Sequence, residues 1–244
     1  MKKIKETIRN FLIYLSYFSC IPFLRLFFLK RKYKYLFRAL AFHEIKDNQV
    51  KDFRHKIDLL EEKFHIISPE DFLNKNFSEK DLNILLTFDD GYESWMENVV
   101  PVLKEKNLST VFFLDKSGFD LAPKLAKMGF MIGSHTLNHS RLPELGEKEM
   151  ETELKASQRI LSEKTGREVN LFAYPFGDKE SFSLEVKEKV KSSGYEYGFT
   201  ILPGFNHKDS DPLLLHRDSI NVSWDDPLFL AWIWGAYDVL KNNL

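Results

Sequence analysis

A single cysteine, Cys20, stands in 244 residues, so an intrachain disulfide and a cysteine-built zinc site are both excluded. Neither sign of charge is in excess: 35 Lys and Arg meet 36 Asp and Glu, a formal net charge of −1. With no basic field, nucleic acid is not an expected partner. No internal repeat and no low-complexity linker interrupts the chain after its first segment, so residues 35–244 read as one domain. What is present is apolar surface. Hydrophobic residues make up 43%, enough for a substantial core, and a barrel of this size is ordinary.

Residues 1–34 differ from the rest. Positions 1–10 are lysine-rich, positions 11–29 are almost wholly apolar or aromatic, and Lys30, Arg31, Lys32 and Lys34 follow. As a helix the apolar run would be roughly 28 Å long, about one hydrocarbon thickness. It lacks the small-residue cleavage site of a signal peptide. Few soluble core helices are apolar all round, so a membrane-associating helix is expected, with membrane lipid as its partner and a bacterial-type inner membrane as its place. Pro22 would kink it, and Arg25 would cost about 2.5–3.5 kcal/mol near the bilayer centre. Two arrangements follow: one span, or a helix broken at Pro22 that dips into one leaflet and returns. Basic flanks on both sides leave the orientation open.

Beyond residue 35, strand and helix signals alternate. Strands are expected at 36–44, 66–67, 82–90, 109–114, 130–133, 169–174, 197–202 and 213–220. Helices are expected at 51–65, 94–106, 121–128, 147–164, 184–193, and from a cap at Asp226 to about Asn242. Such alternation predicts an α/β protein, a barrel or an open sheet of parallel strands.

The run Leu82-Asn83-Ile84-Leu85-Leu86-Thr87-Phe88 reads as a buried strand ending on Asp89, Asp90 and Gly91. Catalytic groups collect at such strand ends. Neighbouring side chains on a strand point opposite ways, so two carboxylates serving one site require a bend, which Gly91 permits. An Asp-Gly turn is the plain alternative. The second acidic pair, Asp225-Asp226 before Pro227, reads only as a helix N-terminus.

The next polar strand end holds His135 and His139, four apart, which on a helical turn can present both imidazoles to one metal. A lone pair of this kind would be structural about as readily. A His-His-Asp set leaves positions open for water and substrate, as in catalytic zinc sites. Asp90 is then the carboxylate ligand and Asp89 is free to act as a base. At the third strand end, Tyr174-Pro175-Phe176-Gly177 fixes an irregular loop in which a backbone N–H can face an oxyanion.

Thr87-Phe88-Asp89-Asp90-Gly91, Ser134-His135-Thr136-Leu137-Asn138-His139 and Phe172-Ala173-Tyr174-Pro175-Phe176-Gly177 resemble, in order and spacing, the first three motifs of the polysaccharide deacetylase family. These are the carbohydrate esterases that share the NodB-homology domain. The resemblance implies a distorted (β/α) barrel that removes an acetyl group from a sugar with a divalent metal ion. It implies Asp89 as general base and Asp90, His135 and His139 as metal ligands. It places the oxyanion at the backbone N–H of Phe176, with Tyr174 and Pro175 in the same substrate-facing loop. Zinc is the default ion for two histidines and a carboxylate, while manganese, cobalt, nickel or iron suit the same ligands.

Two departures stand out. The family's third motif usually carries an arginine, which braces the base, where this chain has Ala173. Members resembling poly-N-acetylglucosamine deacetylases lack it too, and Arg217 is a candidate substitute. The acid histidine of a C-terminal Leu-x-His-Asp motif has only an imperfect match at His216, whereas Leu40-Ala41-Phe42-His43-Glu44 resembles that motif moved forward, as in circularly permuted members. His43 is therefore preferred as the acid. Trp224, in an expected loop, is the best tryptophan to stack on a sugar, while Trp232 fits a buried helix stripe. The expected activity is removal of an N-acetyl group from a cell-surface polysaccharide or a lipid-linked saccharide. The alternatives are an inactive glycan-binding barrel and a hydrolase of non-sugar amides.

Overall fold

The computed structural model describes the backbone of residues 2–240 and the side chains of residues 7–238. Two helices, α1 (Lys2–Phe18) and α2 (Ile21–Lys32), precede the first strand. The strands are β1 (Phe37–Phe42), β2 (His65–Ile67), β3 (Asn83–Asp90), β4 (Val111–Leu114), β5 (Met131–Ser134), β6 (Leu171–Ala173), β7 (Tyr197–Phe199) and β8 (Arg217–Ser219). Between and after them come α3 (Val50–Lys63), α4 (Pro69–Leu73), α5 (Trp95–Asn98), α6 (Val100–Glu105), α7 (Ala122–Lys127), α8 (Glu147–Thr165), α9 (Leu184–Ser192), α10 (Asp226–Ile233) and α11 (Ala236–Leu240).

The strand order is β7-β6-β5-β4-β3-β1-β8, with neighbouring strands paired parallel throughout. β1 follows β3 from Asn83 to Phe88, while the other edge of β3 pairs first with β2 and then, from Thr87, with β4. Phe199 of β7 bridges Leu215, two residues before β8, so the sheet nearly closes into a (β/α) barrel. Alternation along the strands sends Ala39, Leu85, Phe113, Ala173 and Phe199 inward. Leu40, Phe42, Leu86, Phe88, Phe112 and Phe172 point outward against the helices. Strands covered on both faces carry apolar residues with little interruption, which is why β1 and β3 read as runs rather than as alternations.

Four details differ from the sequence expectation. The helix at 94–106 is two short ones, because Pro101 lies in the first turn of α6 and cannot donate to α5. On α8 the buried stripe includes Glu153 and Ser157, and Ile160 is only half-buried. The cap of α10 is Asp225, whose carboxylate accepts from the Leu228 N–H at 2.9 Å. Asp226 instead pairs with Lys56 and His55. Gly235, at φ 84°, ends that helix early, and Asn242 lies outside the described residues.

The N-terminal helix breaks at Cys20, held at φ 60°, and not at Pro22. Pro22 sits in the first turn of α2, where a missing N–H breaks no helical bond. The two helices bend by 64°; no single described helix is long and apolar enough to cross a membrane, but the bent pair passes together. One face of α1 is docked on the C-terminal helices. Ile13 is fully buried there, Ser16 Oγ donates to the Ala236 carbonyl at 3.1 Å, and Tyr14 Oη donates to Asp225 at 2.7 Å. Burial, then Asp225, pushes the Tyr14 hydroxyl up to about 12. Arg25 of α2 reaches Asp238, which also binds the buried Arg38 of β1.

Candidate active site

Inward alternation along β3 turns Thr87 and then Asp89 into the barrel, where Asp89 is buried. Arg217, arriving on β8 and also buried, meets it fork to fork: Nη1 donates to Oδ1 at 2.6 Å and Nη2 to Oδ2 at 2.7 Å. Two further donors are placed as well, Nε on the Thr200 carbonyl at 2.9 Å and Nη1 on Thr87 Oγ1 at 3.1 Å. Burial alone would raise the Asp89 carboxyl, but Arg217, then His135 and His43, outweigh it and hold it below the usual carboxylate range. Asp89 is thus a carboxylate kept ionised and fixed in place. Arg217 supplies the guanidinium that Ala173 cannot.

The backbone turns at Asp90 itself, φ 88°, and again at Gly91, φ 113°. That double left-handed turn lets adjacent carboxylates serve one site. A Cβ on residue 91 would run into the Gly118 Cα, so nothing but glycine fits. Gly91→Ala is expected to misplace Asp90 and to lower the melting temperature by several degrees, measured by thermal unfolding.

His135 follows β5. Its Nδ1–H donates to the Ala173 carbonyl at 2.8 Å, which turns Nε2 toward Asp90 Oδ1, 3.5 Å away. His139 Nε2 lies 3.5 Å from the same oxygen. The two histidines do not share a helical turn as their spacing suggests. Thr136 and His139 take positive φ, 65° and 55°, and fold a loop that brings the rings to 4.8 Å between centroids. Glu153 of α8 holds that loop, accepting from the Leu137 and Asn138 N–H groups at 2.9 and 2.8 Å and from Asn138 Nδ2 at 2.6 Å. Glu153 escapes sequence reading because it sits on the apolar stripe of a charged helix.

The ligand atoms of Asp90, His135 and His139 lie within 4.8 Å of one another. Two ligands about 2.1 Å from one ion at a tetrahedral angle stand about 3.4 Å apart. The observed 3.5 Å separations fit that, so the donor set suits a divalent ion with a coordination position left open. A cavity of about 280 Å³, lined by Asp90, Tyr92, Asp115, Ser117 and His139, opens beside it.

In the third loop Phe176 and Gly177 both have positive φ, 63° and 58°. The exposed Phe176 ring lies 4.9 Å from that of His139, beneath the Arg141 guanidinium. Arg141 also pairs with Asp178, whose carboxyl it holds down to about 2, and so ties the second loop to the third. Tyr174 and Pro175 lie in this loop with their side chains turned inward. Both are buried, and the Tyr174 hydroxyl donates to the Leu213 carbonyl at 3.0 Å. The loop is anchored by Tyr174 from below, leaving Phe176 at the surface.

His43 follows β1 directly, one position past the Phe42–Phe88 pair, and so lies level with Asp89. His216 precedes β8 and is level with Arg38, five residues back along β1 from His43, or about 16 Å. Its Nδ1 is held at the Leu202 carbonyl, 3.1 Å away, and its ring packs on Gly204. Of the two acid candidates, only His43 stands at the same end of the barrel as Asp89.

A family profile described as Polysaccharide deacetylase matches residues 77–198, half of the chain. The chain belongs to the polysaccharide deacetylase family. Among curated relatives, YxkH of Bacillus subtilis is 28% identical over 62% of this chain and 56% of its own length. The peptidoglycan-N-acetylmuramic acid deacetylase PdaA of the same species is 30% identical over 49% of this chain and 47% of its own. The chain therefore spans about half the length of the curated relatives it matches. In fold it is similar to the deacetylase PplD of Streptococcus pyogenes, at TM-score 0.66 and 18% identity over 82% of this chain and 99% of that one. IcaB of Ammonifex degensii superposes at TM-score 0.67 and 19% identity over 82% and 97%. The barrel is thus of the NodB type, and α1 and α2 precede its first strand.

Proposed function

We propose that the protein is a metal-dependent deacetylase that hydrolyses an N-acetyl group on a saccharide presented at a membrane surface. The observation that carries this is a carboxylate kept ionised by a forked arginine, one residue from a three-ligand metal set. Asp90, His135 and His139 would hold the ion, which when bound polarises the acetyl carbonyl and acidifies water. Asp89 takes the proton from the attacking water as the water oxygen bonds to the acetyl carbon. The left-handed turn at Phe176 supports its N–H as a donor to the developing oxyanion. His43 gives a proton to the nitrogen as the carbon–nitrogen bond breaks, leaving acetate and a free amine. The family match and the deacetylase relatives support the sugar as substrate. Acetate release from N-acetylated oligosaccharides, with and without a chelator, tests the proposal; an inactive glycan-binding barrel would release none.

His43→Ala is expected to lower turnover of the amide by about 10²–10⁴-fold and to spare an aryl acetate, whose leaving group needs no proton. His216→Ala is expected to leave both rates within a few-fold. Comparing the two substrates in the two variants checks the assignment.

Membrane attachment rests on the outward faces of α1 and α2. Ile8, Phe11, Leu15 and Phe18 form one exposed stripe and Ile21, Leu24 and Phe28 a second, with Lys30, Arg31 and Lys32 at the end of α2. Because the opposite face of α1 is occupied by α10 and α11, we favour helices lying in the plane of one leaflet over a span. The full chain is expected to sediment with anionic vesicles. Replacing Phe11, Phe18, Leu24 and Phe28 with Ser should leave it in the supernatant with its melting temperature unchanged.

A further inference from the structure

A second cavity, of about 310 Å³, opens at the catalytic end of the barrel where α1 meets the C-terminal helices. Ile201, two residues past β7, and Ser219 to Asn221, at the end of β8, form its floor. Its wall is aromatic: Trp224 and Tyr237, both half-buried, lean on Trp232 with centroids 4.9 and 4.5 Å apart. Its rim is cationic, since Arg9 of α1 lies over the Trp232 ring at 5.5 Å, beside a hydrogen bond to Asn10.

Backbone hydrogen bonds tie the floor of this cavity to the segments that carry the metal cleft. The Ile201 N–H donates to the Gly177 carbonyl at 2.8 Å, and Phe176, the residue before, touches His139. On the other side the Ile220 N–H donates to the Ala41 carbonyl at 3.0 Å, two residues before His43. The chemistry of the lining is mixed in a particular way. Aromatic faces take the apolar faces of a sugar ring, Ser219 and Asn221 offer partners to its hydroxyls, and a guanidinium pairs with phosphate. Arg9 also lies between Ile8 and Phe11, 54% and 60% exposed, which begin the apolar stripe of α1. Sugar, anion and hydrocarbon partners therefore follow one another from the cavity outward.

We infer that this cavity binds a saccharide carried on a lipid phosphate, with the sugar on Trp224 and Tyr237, the phosphate on Arg9 and the lipid along α1. The assignment rests on the deacetylase proposal only in making the glycolipid the substrate that the neighbouring cleft deacetylates. Two mutations probe it, Arg9→Gln and Trp224→Ala, neither in the metal cleft.

The probe is a hexosyl phosphate on a short isoprenoid lipid, which has no acetyl group and cannot turn over, titrated calorimetrically into the 244-residue protein. Comparison ligands are the hexosyl phosphate without lipid, the lipid phosphate without sugar and a neutral alkyl hexoside. The wild type should bind the complete probe most tightly. Arg9→Gln should weaken every phosphate-bearing ligand about tenfold and leave the neutral hexoside unchanged. Trp224→Ala should weaken every sugar-bearing ligand about tenfold. Wild-type affinity in both variants, equal affinity for lipid phosphate with and without sugar, or no saturable binding would overturn the assignment. Acetate release from a soluble N-acetylated oligosaccharide is measured in parallel on the wild type. Binding without acetate release would remove the deacetylase proposal and leave the cavity; acetate release without binding would do the reverse.

Discussion

Asp89→Asn is expected to lower acetate release by about 10²–10⁴-fold while the protein still takes up its metal ion. The amide has the shape of the carboxylate but no proton affinity, so water attack loses its base. Asp89 is no ligand in the proposed site: its two oxygens face the two Nη atoms of Arg217, and Asp90 alone meets the histidines. The substitution leaves the buried guanidinium with an uncharged partner, so some loss of stability accompanies it. Turnover is therefore read together with metal content and thermal unfolding. A variant that folds, binds metal and turns over normally would remove the base from Asp89.

Arg217→Lys is the second large effect. An ammonium is one point charge where the site needs a planar fork, so Asp89 loses one of its two charge-assisted bonds. Activity is expected to fall by about 10–100-fold, the usual size for residues that orient a reacting group. The pH dependence gives the sign. Arg217 holds the Asp89 carboxyl below the usual carboxylate range, so the base remains ionised into acid solution and its stabilising pairing is lost only as pH falls through that depressed value. With the fork weakened the carboxyl moves up, and the acidic limb of the rate profile moves to higher pH. An unshifted acidic limb with reduced activity would mean that Arg217 supports folding without tuning the base.

The barrel is largely legible in the sequence because its strands are buried on both faces. Ile84, Leu85, Leu86 and Phe88, broken only by Thr87, announce β3, and the carboxylates at its end announce the site. The three loop motifs are visible for the same reason, since each follows a strand end.

What the sequence hides is carried by long-range placement. Arg217 lies 128 residues from Asp89, and only barrel closure through β8 brings the two together. Glu153 looks like one more charge on α8, although it holds the histidine loop. The left-handed turns at Asp90, Thr136, His139 and Phe176 also leave no signal, since none of these residues is glycine. Such strained positions gathered around one cleft mark where folding has been constrained for geometry. The break at Cys20 is masked by Pro22, the more conspicuous residue, although a proline in the first turn of a helix is well tolerated.

The proposed chemistry requires that Asp90, His135 and His139 grip one ion beside a base that does not. Titrating divalent zinc into metal-stripped protein measures this directly, with Asp90→Ala, His135→Ala and Asp89→Asn alongside the wild type. One ion per chain is expected for the wild type and for Asp89→Asn, with binding lost or weakened by orders of magnitude in the other two. A wild type that takes up no ion, or an Asp90→Ala variant that binds as the wild type does, would contradict it.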